Sequence, residues 1–285
     1  MRQRRDKPGH APEERLVELE VEGHRLAGIL HMPESARQPC PVVVYCPGKN
    51  GERYEVHRLA VKFARRLAER GIACLRFDYY GLGLSDGWFH EMTTSTKIRD
   101  TLAALRFVRE TEGVDPGRIA FLGFSDGARI ALMSAVRTGI SRLLLWSPLF
   151  SEFGGNFPGG RKPRFFRHPL YPDAMVKPWA GLWVGMDFYR DLQQIDIGKE
   201  LLACEVDSLL IYGTDDPLIE EEFAYMETTR YPIYSGTTRH QVSPVEGAGH
   251  LFTSVRLEEK LMDESFGWLA ASFGLSAGTG KEETL

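Results

Sequence analysis

Residues 15 to 22, Arg-Leu-Val-Glu-Leu-Glu-Val-Glu, alternate between apolar and polar, the period of a half-exposed strand. A Gly23-His24 turn leads into a second run, Arg25 to Met32, and the two together predict a hairpin. From residue 42 the pattern changes. Short apolar or β-branched runs read as buried strands: Val42–Tyr45, Ile72–Phe77, Arg118–Leu122, Arg142–Trp146 and Asp207–Tyr212. Between them lie segments with helical spacing of apolar residues, at 54–70, 94–110, 128–137 and 219 to about 229. His240–Glu246 predicts a last strand, whose Pro244 suits an edge, and Leu257–Phe273 a final amphipathic helix. Strands alternating with helices predict an α/β fold with a mostly parallel central sheet and an antiparallel N-terminal hairpin.

One region breaks this order. From about 150 to 200 the chain is rich in Gly, Pro and aromatic residues and shows no clear period. So long an irregular stretch inside a compact domain predicts a lid insert. Phe153, Phe157, Trp179 and Trp183 are its candidate pocket-lining side chains.

Composition narrows the function classes. The 285 residues are 43% apolar and 26% charged, ordinary for a globular protein with a sizeable core. A net charge of −4 gives no electrostatic case for nucleic acid. Residues 1–14 are expected to be a disordered lead-in without a secretory pattern, 15–275 one domain, and 276–285 a frayed tail. No run of about 18 apolar residues predicts a membrane span. Cys40, Cys46, Cys74 and Cys204 lack metal-site spacing, so the expectation is a reduced, cytoplasmic chain needing no metal and no cofactor. Oligomeric state is not legible.

The candidate chemistry centres on Gly123-Phe-Ser-Asp-Gly127, a G-x-S-x-G pentapeptide between the Arg118–Leu122 strand and the helix beginning at Ala128. On a tight strand-to-helix turn the Ser125 hydroxyl stands above the sheet, and only residues without a large Cβ substituent fit on either side, a need that Gly123 and Gly127 meet. A serine needs an adjacent base to act as a nucleophile near neutral pH, and histidine suits that task. Of the eight histidines, His24, His31 and His240 lie away from the C-terminal strand ends where such loops gather, His57 falls in a predicted helix and His10 in the lead-in. Position leaves His90 and His168 open; His250, in a Gly-Ala-Gly-His turn directly after the last strand, is the preferred base. An acid is needed to orient the imidazole. Asp215 and Asp216 both follow the Asp207–Tyr212 strand, and Glu152 follows the Trp146 strand.

Five motifs in order give the chain a resemblance to the α/β-hydrolases, within them to the serine-aminopeptidase-like and carboxylesterase or thioesterase branch, over roughly residues 25–273. They are Val42–Gly51, Phe77–Gly87 (close to F-D-x-x-G-x-G-x-S-x-G), Gly123–Gly127, Gly213–Ile219 and Gly247–His250. The resemblance implies a Ser125–Asp216–His250 triad, Asp216 being the position of the acid before Pro. It implies an oxyanion hole made by the backbone N–H groups of Asp126 and Lys49, although Pro47 stands where the family usually has His. The Lys49 and Asp126 side chains are then expected either to pair above the serine or to face solvent. Asp78 and Asp86 read as turn residues, since their loop lacks cation-loop spacing.

The implied function is a serine hydrolase acting on a small-molecule carboxylic ester or thioester through an acyl-enzyme. Acyl transfer by the same triad, a serine-aminopeptidase activity, and a non-catalytic binding protein on a hydrolase fold are its rivals. The Arg161–Arg167 cluster reads first as a solvated basic loop, and second as a site for an anionic substrate portion.

Overall fold

The structure, a computed structural model, describes residues 12–34, 39–151 and 164–275. Thus most of the predicted lead-in, the predicted tail, Glu152, Phe153, Phe157 and residues 161–163 of the basic cluster lie outside the described residues.

The chain begins with strands β1 (Glu13–Val21) and β2 (His24–Met32), then β3 (Cys40–Cys46), α1 (Leu59–Glu69), β4 (Ala73–Phe77), α2 (Thr94–Glu110), β5 (Val114–Phe124), α3 (Asp126–Thr138) and β6 (Arg142–Trp146). After β6 come three short strands, β7 (Phe166–Arg167), β8 (Met175–Trp179) and β9 (Leu182–Gly185), and two helices, α4 (Met186–Gln193) and α5 (Ile197–Leu202). The main sheet resumes with β10 (Asp207–Gly213), α6 (Pro217–Met226), β11 (His240–Val245) and α7 (Val255–Ser272).

Eight strands form the main sheet in the order β1-β2-β4-β3-β5-β6-β10-β11. β1 and β2 are antiparallel, as are β2 and β4, and the remaining pairs are parallel. Period-2 alternation divides the core between the two faces. Val42, Val44, Phe121 and Leu145 pack with Ile98 and Leu105 of α2 and Ile130 and Leu132 of α3. Val43, Tyr45, Leu122 and Trp146 pack with Leu59, Phe63 and Leu67 of α1 and Leu261 and Leu269 of α7. Burial on both faces is why the central strands read as continuous apolar runs. Pro244 pairs with Tyr212 on β11, the edge strand, where no further neighbour needs its missing N–H.

Two elements differ from the sequence reading. The Asp115-Pro-Gly117 turn is taken into β5, with a register shift between Cys40 and Val42 on β3. The helix predicted from Tyr54 starts only at Leu59, because Glu55, His57 and Arg58 have positive φ (56°, 37° and 63°). The Glu55 side chain instead reaches Gly48, and that of His57 reaches the Leu251 carbonyl. The aperiodic stretch contains a small antiparallel sheet, β7-β8-β9, followed by α4. Ala180-Gly181, both at positive φ, make the tight β8–β9 turn.

Candidate active site

Strand register brings four loops to one edge of the sheet. Cys46 at the end of β3 pairs with Gly123, Phe124 with Trp146, Ile211 with Trp146, and Gly213 with Val245. The segments that follow these ends carry Lys49, Ser125, Asp216 and His250.

Ser125 has φ 55° and ψ −124°, a strained conformation that precedes α3 directly. Its N–H donates to the Trp146 carbonyl at 2.9 Å, and its own carbonyl accepts from Ala128 and Leu149. A Cβ on Gly123 would collide with the backbone of Gly127 and Ala128, and one on Gly127 with the carbonyl oxygens of Cys46 and Pro47. Both glycines are therefore fixed by packing, and Gly127 is what lets α3 approach the loop after β3.

His250 Nε2 lies 3.0 Å from Ser125 Oγ, and its Nδ1 lies 2.7 Å from Asp216 Oδ2. Asp216 is buried at the N-terminus of α6, where Oδ1 accepts from the Leu218 and Ile219 N–H groups. These cap bonds orient the carboxylate and leave Oδ2 to the imidazole. Asp215, exposed, instead accepts from the Thr214 hydroxyl. The two loops are tied together: Asp215 N–H donates to Ala248 O, and Gly247 N–H to the Thr214 hydroxyl oxygen. The Phe124 ring packs 5.4 Å from the His250 ring, centroid to centroid.

The other histidines are elsewhere. His31 is buried on β2 and accepts from the Arg76 guanidinium; burial, then Arg76, pushes its pKa down to about 4. His240 faces Ser208 at the opposite end of its strand. His90 and His168 stack against each other at 4.9 Å and against Tyr171. His57 lies in a short 3-10 turn before α1, not in the helix. There it bridges the Leu251 carbonyl (Nε2, 2.7 Å) and Glu258 (Nδ1, 2.8 Å), bracing the segment that carries His250.

The charged side chains next to the serine are arranged differently from the sequence expectation. The Asp126 carboxylate does not face solvent, nor is Lys49 its ion-pair partner: it is fully buried and paired with Lys97 Nζ at 2.8 Å and with Arg129. Burial alone would raise its pKa, but Arg129 and then Lys97 outweigh that and hold it well below the usual carboxylate range. Lys49 Nζ sits 4.7 Å from the Trp179 ring centroid and 4.5 Å from that of Phe188, so its cation rests on aromatic faces of β8 and α4. Trp183 points into a separate aromatic group with Phe166 and His168.

Three polar residues absent from the sequence reading complete the surroundings. Glu55 is buried; its carboxylate accepts from the Tyr45 hydroxyl (3.1 Å) and the Gly48 N–H (3.4 Å). Burial pushes its pKa up to about 7, against these two hydrogen bonds and nearby Lys97. Lys97 reaches from α2 to the carbonyls of Gly48 and Lys49. Glu222, on α6, accepts from the Phe150 and Ser151 N–H groups and fastens the chain just beyond β6. The Cys46 and Cys74 thiols are pushed up to about 12 by burial and behave as small apolar groups. Asp78 accepts from the Arg53 and Leu84 N–H groups and Asp86 from the Arg25 N–H, so both organise loops. Among the described residues, no cluster of three or more His, Cys, Asp or Glu could hold a metal ion, and no helix is long and apolar enough to cross a membrane.

An eight-stranded, mostly parallel sheet with a serine on the strand-to-helix turn after β5 defines the α/β-hydrolase fold. A family model described as FrsA-like (Esterase FrsA-like) matches residues 14–139, from β1 through α3. Esterase FrsA of Yersinia pestis (strain Pestoides F) is 34% identical over 111 residues, which are 39% of this chain and 25% of that relative. The match thus spans a quarter of the relative's length. Among solved structures, Est1E from Butyrivibrio proteoclasticus with bound ferulic acid superposes with a TM-score of 0.72 at 23% identity, covering 89% of this chain and 99% of that one. The α/β-hydrolase GrgF from Penicillium sp. sh18 superposes with a TM-score of 0.68 at 17% identity, covering 92% and 100%.

Proposed function

We propose that the chain is a serine hydrolase of esterase type that cleaves a carboxylic ester or thioester. The observation that carries this reading is the continuous hydrogen-bonded line Asp216–His250–Ser125, at 2.7 and 3.0 Å. His250 Nε2 takes the Ser125 proton as Oγ attacks the acyl carbonyl. Asp216 holds the Nδ1–H tautomer and stabilises the imidazolium that forms. The tetrahedral oxyanion is received by the backbone N–H groups of Asp126 and Lys49, each worth about 3 kcal/mol in comparable sites. His250 returns the proton to the leaving group, an acyl-enzyme remains on Ser125, and water activated by His250 releases the acid.

The domain reading forms part of the proposal. Residues 15–275 act as one hydrolase unit in which the stretch from about 150 to 200 borders the substrate. Contacts of Trp179 and Phe188 with Lys49, beside the oxyanion loop, support it. An acyl-ester and acyl-thioester panel of increasing chain length, run with Ser125→Ala, tests the function. The proposal requires turnover by the wild type and none by the variant; a folded wild type inert toward every ester and thioester rejects it.

A further inference from the structure

The two N–H donors assigned to the oxyanion come from separate parts of the chain, the loop after β3 and the first residue of α3. Sheet pairing joins the two parts only as far as Cys46 and Gly123, and both donors lie beyond that last pair. One side chain touches both parts. Lys97 Nζ donates to Gly48 O at 3.2 Å, to Lys49 O at 3.0 Å and to Asp126 Oδ2 at 2.8 Å. An ammonium carries three protons, and these are three acceptors around it. Lys97 is fully buried, with Nζ 5.0 Å from the centroid of the Tyr79 ring.

The chemistry of the peptide unit makes this contact directional. Gly48 C=O and Lys49 N–H belong to one planar trans peptide, so they point in opposite directions. A cation drawing Gly48 O toward α2 aims the Lys49 N–H away from α2. Meanwhile the preceding N–H, that of Gly48, is engaged by the Glu55 carboxylate. Pro47 has no N–H. The loop is therefore held from both ends of the Gly48 residue, with the peptide after it oriented by Lys97. Binding its carbonyl to a cation also polarises that peptide and strengthens its N–H as a donor. The Asp126 end of the same ammonium fixes the side chain of the residue whose own N–H is the second donor.

We propose that Lys97 is the positioning residue of the oxyanion hole, a buried ammonium that sets the orientation and spacing of the Lys49 and Asp126 N–H groups. The inference rests on the serine hydrolase reading and extends it to a residue that never touches substrate. It separates Lys97 from Arg129, which is equally buried against Asp126 but donates to the Phe150 carbonyl and the Thr94 hydroxyl instead of the loop after β3.

That difference supplies the test. Lys97→Met and Arg129→Met each leave one cation paired with Asp126, so each variant keeps a neutral buried pair. Steady-state kinetics on p-nitrophenyl acetate, and inhibition by a trifluoromethyl ketone that forms a tetrahedral adduct on serine, are measured for both. Lys97→Met is expected to lower kcat about 100-fold, the scale of one lost oxyanion donor, with KM within about threefold. Ketone affinity should fall in parallel. Arg129→Met is expected to keep kcat within about threefold while lowering the melting temperature. A folded Lys97→Met with kcat within threefold of wild type overturns the proposal, and so does an equal loss in both variants. If Lys97→Met does not fold, Lys97→Gln takes its place: a loss of kcat at constant KM supports the role, and unchanged kcat overturns it. Ser125→Ala keeps the two levels apart. Undiminished turnover by that variant rejects the hydrolase reading itself, whereas an inactive Ser125→Ala beside a fully active Lys97→Met rejects only the role of Lys97.

Discussion

On one side of Ser125, His250 and Asp216 hang from turns after β11 and β10, held by backbone bonds between those turns and by the α6 cap. On the other side, the loop after β3 and the start of α3 are joined by buried polar groups: Lys97 contacts both, Glu55 holds the loop, and Arg129 backs Asp126 from behind. The first side keeps a partly accessible imidazole, whereas Lys97, Asp126, Arg129 and Glu55 on the second are buried. The His250 side is therefore expected to tolerate substitution with little loss of packing, while on the other side the proposed oxyanion hole would couple stability to chemistry. The FrsA-like match, residues 14–139, covers Ser125 and the buried polar cluster but ends before Asp216 and His250.

The largest expected effect is on the base side and is purely catalytic. His250→Ala should lower kcat by about 10⁴-fold or more, on the scale of removing a triad base, with a melting temperature close to wild type. A large fall in stability would show that the His250 side chain is also needed for packing. Asp126→Ala should do the opposite kind of damage. It leaves Lys97 and Arg129 buried without their shared anion, and breaking such a cluster costs about 3–5 kcal/mol, read by urea unfolding. A cost below about 1 kcal/mol would mean that water reaches the cluster.

The next effect is a pH dependence. Glu55, pushed up to about 7 by burial, holds a proton in the folded state that the unfolded chain releases. Its ionisation therefore lowers stability as pH rises from the ordinary carboxylate range to about 7, by on the order of 3 kcal/mol in total. Relative to wild type, Glu55→Gln should gain stability as pH rises through that window, followed by unfolding at several pH values. A constant difference across the window would show that Glu55 titrates normally. The smallest effect is at Asp215. Asp215→Asn should leave stability within about 0.5 kcal/mol and kcat within about threefold, because that carboxylate is exposed and accepts from the neighbouring Thr214 hydroxyl. A large loss there would move the acid of the site by one residue.

The two sides also differed in how far they could be read from sequence. Ser125, Asp216 and His250 stand in short glycine-containing loops at strand ends, where residue type and order carry the signal. The buried charges stand in helical or turn segments that look solvent-facing. Lys97 resembles any helix-surface lysine, yet it shares a stripe with Thr101, Leu105 and Val108, all buried, and that i, i+4 register was the available clue. Glu55 had no such clue, because the Tyr54–Arg70 periodicity ran through it and concealed the positive φ values that delay the start of the helix to Leu59. A mostly parallel sheet with an antiparallel N-terminal hairpin followed from the alternation of strands and helices, and the edge position of Pro244 from its missing N–H. The short β7-β8-β9 sheet did not, since its strands of two, five and four residues are too brief to show a period.

Ser125 is proposed as the nucleophile of an acyl-transferring site. Its most direct test is site mapping by mass spectrometry after reaction of the folded protein with a fluorophosphonate. One adduct on Ser125, absent from Ser125→Ala, is the predicted result. A folded wild type that stays unlabelled, or a label carried by another residue and retained in Ser125→Ala, would contradict it.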